Sequence, residues 1–137
     1  MSAIAPTPLF ASLLVMAGGA IGALGRYQLG RAITHALGPM QVGQFPWATL
    51  AINVIGCASM GLVFGWLARS GAGSESLRLL LGVGLLGGFT TFSAFSLEML
   101  LLIDRGAAGL ALFYAGFSVA AGLGALWLGL LAIRGFA

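Results

Sequence analysis

The residues best equipped to handle an ion lie in one run, Gly87-Gly88-Phe89-Thr90-Thr91-Phe92-Ser93-Ala94-Phe95-Ser96. Phe92 and Phe95 are three apart and share a side of any helix that resumes after the glycines, and Phe89 extends the row. An aromatic ring carries positive potential at its edge, so rings presented edge-on can accompany an anion while leaving little room for water. Hydroxyls at Thr90, Thr91, Ser93 and Ser96 interleave with those rings. A second polar pair, Thr49 and Asn53, is four apart and so lies on one helix face. The Asn53 amide offers two N–H donors without a fixed charge, which suits brief coordination of a small anion. It equally suits a hydrogen bond between helices. Tyr114 and Ser118 repeat the four-residue spacing and make another hydroxyl-bearing face, available to a pathway or to packing. Amide, hydroxyls and ring edges, with no base or metal-ligand cluster, suit passage of an anion better than chemistry upon it. His35 is the sole histidine and no nucleophile–base constellation is present, which sets enzymes aside. The few arginines are scattered and suggest no nucleic-acid binding.

The elements that must position these groups are membrane helices. Of 137 residues 60% are hydrophobic and only 7% charged, and the mean hydropathy is +1.08. Soluble domains average about 25% charged residues. The chain is therefore expected to be an all-α integral membrane protein, a single four-helix transmembrane domain over residues 1–137. A span needs about 20 apolar residues, and four fit, over 9–37, 47–69, 77–103 and 107–133. Short connections over 38–46, 70–76 and 104–106 are rich in Gly, Pro, Ser or charge. The first eight residues carry no basic side chain and the apolar run after them is too long for a signal peptide, so cleavage is not expected. The Gly87–Ser96 run falls inside the third span and predicts a helix broken at membrane depth. Such a break releases up to four N–H and four C=O groups, each costing roughly several kcal/mol in hydrocarbon. It is tolerated only where protein buries it or a water-filled cavity meets it.

Six Arg and Lys against three acids give a net charge of +3. With four spans, Arg69, Arg78 and Arg134 fall near one side of the membrane; Arg31, Arg105 and the deeper Arg26 fall near the other. Orientation follows the Lys/Arg bias of short loops, and here that bias is almost nil. Either a weak preference decides, or both orientations insert and pair as an antiparallel, dual-topology homodimer. Small residues at Gly18 and Gly22, Gly61 and Gly65, and Gly84 and Gly88 allow close helix approach. Trp47, Trp66 and Trp127 suit interfacial anchoring. Cys57 is the only cysteine, which excludes an intrachain disulfide.

Three motifs, in order, carry a resemblance. Gly18-Gly19-Ala20-Ile21-Gly22-Ala23-Leu24-Gly25-Arg26-Tyr27 resembles the first-span signature of the small bacterial fluoride channels, the Fluc (CrcB) family. The Thr-Leu-x-x-Asn-x-x-Gly run beginning at Thr49 is similar to the second-span motif. The run from Gly87 to Phe95 is similar to the third-span Gly-Gly-x-Thr-Thr-Phe-Ser-x-Phe element. The resemblance implies a dual-topology homodimer in the bacterial inner membrane with two fluoride pores, each lined by both subunits. It implies Asn53 as the pore amide, Phe92 and Phe95 as ring-edge lining, and Thr49, Thr91, Ser93, Tyr114 and Ser118 as the hydroxyl lining. It places Arg26 near a vestibule, where positive charge raises local anion concentration. It also implies a structural sodium ion on the dimer axis, held by the Gly87 and Thr90 carbonyls. Ala94 and Gly122 depart from the pattern where hydroxyls would extend the polar track, and Ala48 stands where the family often has Gly. Passive, selective fluoride efflux is the function implied. The rivals are a proton-coupled four-helix exporter and a non-transporting membrane assembly protein. An exporter needs a titratable carboxylate at depth, and Glu98 is the acid nearest to that, expected to pair with an arginine or face a vestibule.

Overall fold

A computed structural model describes residues 6–69 and 75–135. Helix α1 (Pro8–Leu37) starts where Thr7 Oγ1 accepts the Phe10 N–H and Pro8 takes the first position, where no amide hydrogen is needed. Its 30 residues extend about 45 Å, more than the ~30 Å of hydrocarbon in a bilayer. Gly38 ends it with a φ of 81°, a conformation that costs glycine little. Pro39 then opens a short helix, α2 (Pro39–Gln44), inside what the sequence reads as a bare connection. Helix α3 (Trp47–Arg69) follows. Of the expected 70–76 connection, residues 70–74 lie outside the described residues, as do residues 1–5 of the leader considered above.

The third span is composite. A turn of α4 (Glu75–Leu77) leads into a π-helical stretch, Arg78–Leu86, then α5 (Gly87–Phe89). Thr90 and Thr91 are extended, and α6 (Phe92–Asp104) resumes the path. Gly106, at φ 77°, turns the chain into α7 (Ala108–Gly135). The protein is thus all-helical and multi-pass, with membrane-length stretches at Pro8–Leu37, Trp47–Arg69, Glu75–Asp104 and Ala108–Gly135. The expected boundaries fall within two residues of these at every end.

The small residues bring backbones together. A Cβ on Gly18 or Gly22 would collide with the Leu80 or Leu85 carbonyl of the π-helical stretch, and one on Gly88 would reach Gly19. Between α3 and α7, Gly61 faces the Leu126 carbonyl and Gly129 faces that of Ala58. Without a hydrophobic drive between helices in lipid, this close backbone packing supplies much of the attraction. Phe45, Leu50, Leu102, Ala111 and Tyr114 form a core cluster, with Val54, Phe95, Met99 and Ala107 packed around it. The outer faces of the spans are apolar, as a lipid solvent requires.

Candidate functional site

The extended pair is held by two residues of α3. The Thr91 N–H donates to Asn53 Oδ1 at 2.9 Å, and Asn53 Nδ2 donates to the Thr91 carbonyl at 3.0 Å. Three residues on, Gly56 lets Thr90 sit directly against α3; a Cβ there would collide with Thr90 Cγ2. The threonines add local bonds of their own. Thr91 Oγ1 caps α6 by accepting the Ala94 N–H at 3.2 Å, and Thr90 Oγ1 donates to the Leu86 carbonyl at 3.0 Å. In a continuous α-helix Thr91 N–H would serve Gly87 C=O and Ala94 N–H would serve Thr90 C=O. Both amides bond elsewhere, to Asn53 and to Thr91 Oγ1, so the Gly87 and Thr90 carbonyls are released. Carbonyl oxygens are the hard donors a sodium ion prefers, and the residues present fit such an ion. Among the described residues no group of three His, Cys, Asp or Glu side chains could hold a metal.

Glu98 joins two of the expected site residues. Thr49 Oγ1 donates to Glu98 Oε1 at 2.6 Å and the Tyr114 hydroxyl donates to Oε2 at 2.9 Å. Pairing with an arginine is not what this carboxylate does: two hydroxyls from α3 and α7 reach it first. Tyr114 and Thr49 are buried, and a hydrogen bond is electrostatically stronger inside a protein than in water. The Tyr114 ring lies 5.0 Å from that of Phe95, and Phe95 lies 5.7 Å from Phe92. Phe92 itself is 79% exposed on the single chain, so its ring is free for whatever covers that face.

Two hollows meet at the clamp. An open cleft of ≈ 930 Å³ is lined by Arg26, Arg31, His35, Thr49, Thr91 and Ala94, among others. A smaller one of ≈ 310 Å³ is lined by Asn53, Gly56, Cys57, Thr90, Thr91 and Phe92, with Met60 and Leu126. Thr91 borders both, so the Asn53–Thr91 pair forms a wall between a cationic mouth and a smaller hollow that is also open. Arg31 stacks over the Tyr27 ring at 5.7 Å, which fixes one of the positive charges at the mouth. Ser93 Oγ lies 3.4 Å from Thr91 Oγ1. The structure therefore gathers Thr49, Asn53, Thr91, Ser93, Phe92, Phe95 and Tyr114 into one connected set, with Arg26 at the cleft. Ser118, a turn further along α7, stands apart, its Oγ buried without a partner. Gly122, the departure beyond it, is buried with the Cys57 sulfur 3.3 Å from where its Cβ would be.

Two contributors lie outside the expected pore set: Glu98, weighed above only as an exporter's acid, and Phe45. Glu98 is three residues past Phe95 and seven past Thr91, a spacing that puts it on their face of the helix. Phe45 packs its ring 5.3 Å from Tyr114, edge-on at 75°. Its signal in the sequence is faint, an aromatic residue before Pro46 in a loop.

Comparison with known proteins places this geometry in context. The model of the family described as CrcB-like protein, Camphor Resistance (CrcB), matches residues 13–130. A protein of Novosphingobium aromaticivorans is 59% identical over 127 residues, covering 93% of this chain and 98% of that protein. One from Phenylobacterium zucineum is 54% identical over 125 residues, covering 90% and 95%. One from Erythrobacter litoralis is 50% identical over 131 residues, covering 95% and 96%. Each of those three is named fluoride-specific ion channel FluC.

Proposed function

The chain belongs to the CrcB-like family, and from that membership we propose that it is a fluoride-specific ion channel, passing the ion passively across the bacterial inner membrane. One observation carries the reading at the level of residues. Asn53 spends its oxygen and one N–H on Thr91 and keeps its second N–H, at the wall between two hollows. Fluoride is small and strongly hydrated, so a selective path must replace its water with donors spaced for that ion. The free Asn53 N–H, the hydroxyls of Thr91 and Ser93, and the edges of Phe92 and Phe95 supply them over a short distance. Several weak sites in series let the ion leave as readily as it enters. Arg26, at the open cleft, concentrates anions at its mouth.

The same reading includes an antiparallel dual-topology homodimer. Its support is the near-even distribution of arginines, the exposure of Phe92 and the released carbonyl of the exposed Gly87, each incomplete on one chain. The extended Thr90–Thr91 pair supports a third span broken at membrane depth. The Gly87 and Thr90 carbonyls of both subunits would hold sodium, which when bound supplies positive charge to freed carbonyls and to the nearby anion path. A proton-coupled exporter fits less well, because Glu98 is already engaged by two hydroxyls.

The deciding experiment is fluoride release from liposomes containing the purified protein, followed with a fluoride electrode, with chloride-loaded vesicles alongside. Fast release that needs a charge-compensating ionophore, with chloride retained, is the expected result. No release from well-reconstituted protein would send the function back to the exporter or the assembly protein.

A further inference from the structure

An aromatic chain runs from the α2–α3 connection to the extended pair, and its first member has no part in the pathway described above. Phe45 is 7% exposed and meets the Tyr114 ring edge-on, at 5.3 Å and 75°. Tyr114, 0% exposed, touches Phe95 at 5.0 Å and holds Glu98 through its hydroxyl at 2.9 Å. Phe95 in turn lies 5.7 Å from Phe92.

The seat of Phe45 is firm. Arg105 Nη1 donates to the Gly43 carbonyl at 2.6 Å, while Arg105 Nε holds Leu101 of its own helix at 3.1 Å. The Phe45 N–H donates to the Gln41 carbonyl at 3.2 Å, which ties the ring-bearing residue to the end of α2. Trp47 packs on the Phe45 ring at 4.6 Å. The loop is thus fastened to the turn between α6 and α7, the two helices that carry Phe95, Glu98 and Tyr114.

We propose that Phe45 is a positioning residue for fluoride conduction, acting through Tyr114 on the Phe95 ring and the Glu98 carboxylate. Tyr114 has one hydroxyl bond, so the plane of its ring is set by what packs on it. Remove the ring at position 45 and Tyr114 gains room to turn. Its hydroxyl then leaves Glu98, which keeps only Thr49, and Phe95 loses the surface that aims its edge. A residue that merely filled space would be replaced without harm by another apolar side chain. A ring that orients a ring would not.

The inference rests on the channel reading, and its test carries a readout independent of flux. The variants are Phe45→Leu, with Phe45→Met in reserve as a flexible filler should Leu fail to assemble, Tyr114→Phe, and the Phe45→Leu/Tyr114→Phe double. Fluoride flux is expected to fall about three- to tenfold in Phe45→Leu, the range one aromatic pair is worth. In the Tyr114→Phe background the hydroxyl arm is already gone and only the Phe95 arm remains, so the same change is expected to cost less than it does in the wild type, because coupled residues fail to add. The second readout is the Glu98 carboxylate infrared band, assigned by difference against Glu98→Gln. It is expected to shift in Phe45→Leu in the same direction as in Tyr114→Phe. An unmoved band in an assembled variant overturns the proposal, and so does a loss that multiplies in full with Tyr114→Phe. If the wild-type protein conducted no fluoride, the channel reading would fall and the band would still decide whether Phe45 positions Tyr114 and Glu98.

Discussion

The Asn53–Thr91 clamp makes a prediction whose size follows from its geometry. Two hydrogen bonds, at 2.9 and 3.0 Å, serve the N–H and C=O of a residue only 9% exposed. Leaving a buried group unpaired costs about 1–3 kcal/mol, so abolishing both bonds costs about 2–6 kcal/mol if water cannot enter. Asn53→Leu meets that condition, because its branched side chain fills the space the amide vacates. Asn53→Ala opens the site to the adjoining ≈ 310 Å³ hollow, through which water can reach Thr91, and its loss falls at the low end. Asn53→Asp keeps an acceptor for the Thr91 N–H and sets a carboxylate against the Thr91 carbonyl, with intermediate stability. Measured as resistance of the assembled protein to heat in detergent, the order expected is wild type, Ala, Asp and Leu, with Ala and Asp close. Fluoride flux follows a different order. Asp removes the donor and adds a negative charge, so it abolishes flux while the protein survives; Ala retains some. Hydrogen exchange at Thr91 provides a local check, fastest in Ala, where water reaches the unpaired amide. Equal thermal resistance in all three variants would refute the clamp, and normal flux in Asp would remove Asn53 from the anion path.

Four further outcomes are expected. Phe92→Ile and Phe95→Ile both cripple fluoride flux, but Phe95→Ile also lowers thermal resistance because its ring packs on Tyr114, whereas Phe92, 79% exposed, is dispensable to the single-chain fold; equal thermal losses would contradict this. Gly56→Ala drives a Cβ into Thr90 Cγ2 and costs about 1–3 kcal/mol by overpacking; Thr90→Ser, which lacks that methyl, is expected to restore assembly and most of the flux, and no rescue would place the strain elsewhere. An imposed pH gradient drives no uphill fluoride movement in liposomes, since flux follows the electrochemical gradient of fluoride alone; accumulation against that gradient would favour the exporter. Reporters fused to the C-terminus are readable on both faces of the membrane, and one-sided labelling would sink dual topology.

What was legible in the sequence was whatever depends on neighbours along the chain. Span boundaries follow from apolar length, and they are right to within two residues because charged residues are too few to blur them. Thr90 and Thr91, the extended residues, lie in the run whose glycines weaken a helix and whose hydroxyls compete for its backbone. The small-residue spacings point at helix contacts for the same local reason. What was not legible depends on how helices register against one another. Asn53 and Thr91 are 38 residues apart, and nothing at either position says that an amide will bond both groups of one peptide residue. The fate of Glu98 was hidden in the same way. Its two partners come from α3 and α7, 49 and 16 residues away, and pairing with an arginine or facing a vestibule is the natural expectation until those helices are in place. Helix α2 went unread because six residues give no periodicity to detect, and only Pro39 marks its start.

The interhelical bond and the pore donor were alternative readings of Asn53; the structure shows the interhelical bond, and the proposed pore donor is the N–H which that bond leaves over. A side-chain amide is planar, so two bonds to the same backbone residue fix the plane and leave its second N–H no freedom of direction. That N–H is then a donor oriented before any ion arrives, and preorganised donors need no further ordering when the ion binds. The alternation of the rest of the track makes this placement matter. Ala94 and Gly122 interrupt the hydroxyl rows on α6 and α7, so donors are densest where Asn53, Thr91 and Ser93 converge. A bare interruption of a membrane helix would need water or a partner for every freed group. Here one amide closes two of them, leaves the Gly87 carbonyl without its helical partner, and keeps one N–H to spare where Asn53 lines the smaller hollow. In the proposed channel, holding the backbone open and presenting a donor to an anion fall to the same side chain, and only a substitution such as Asp, which keeps part of the first and reverses the second, can pull them apart.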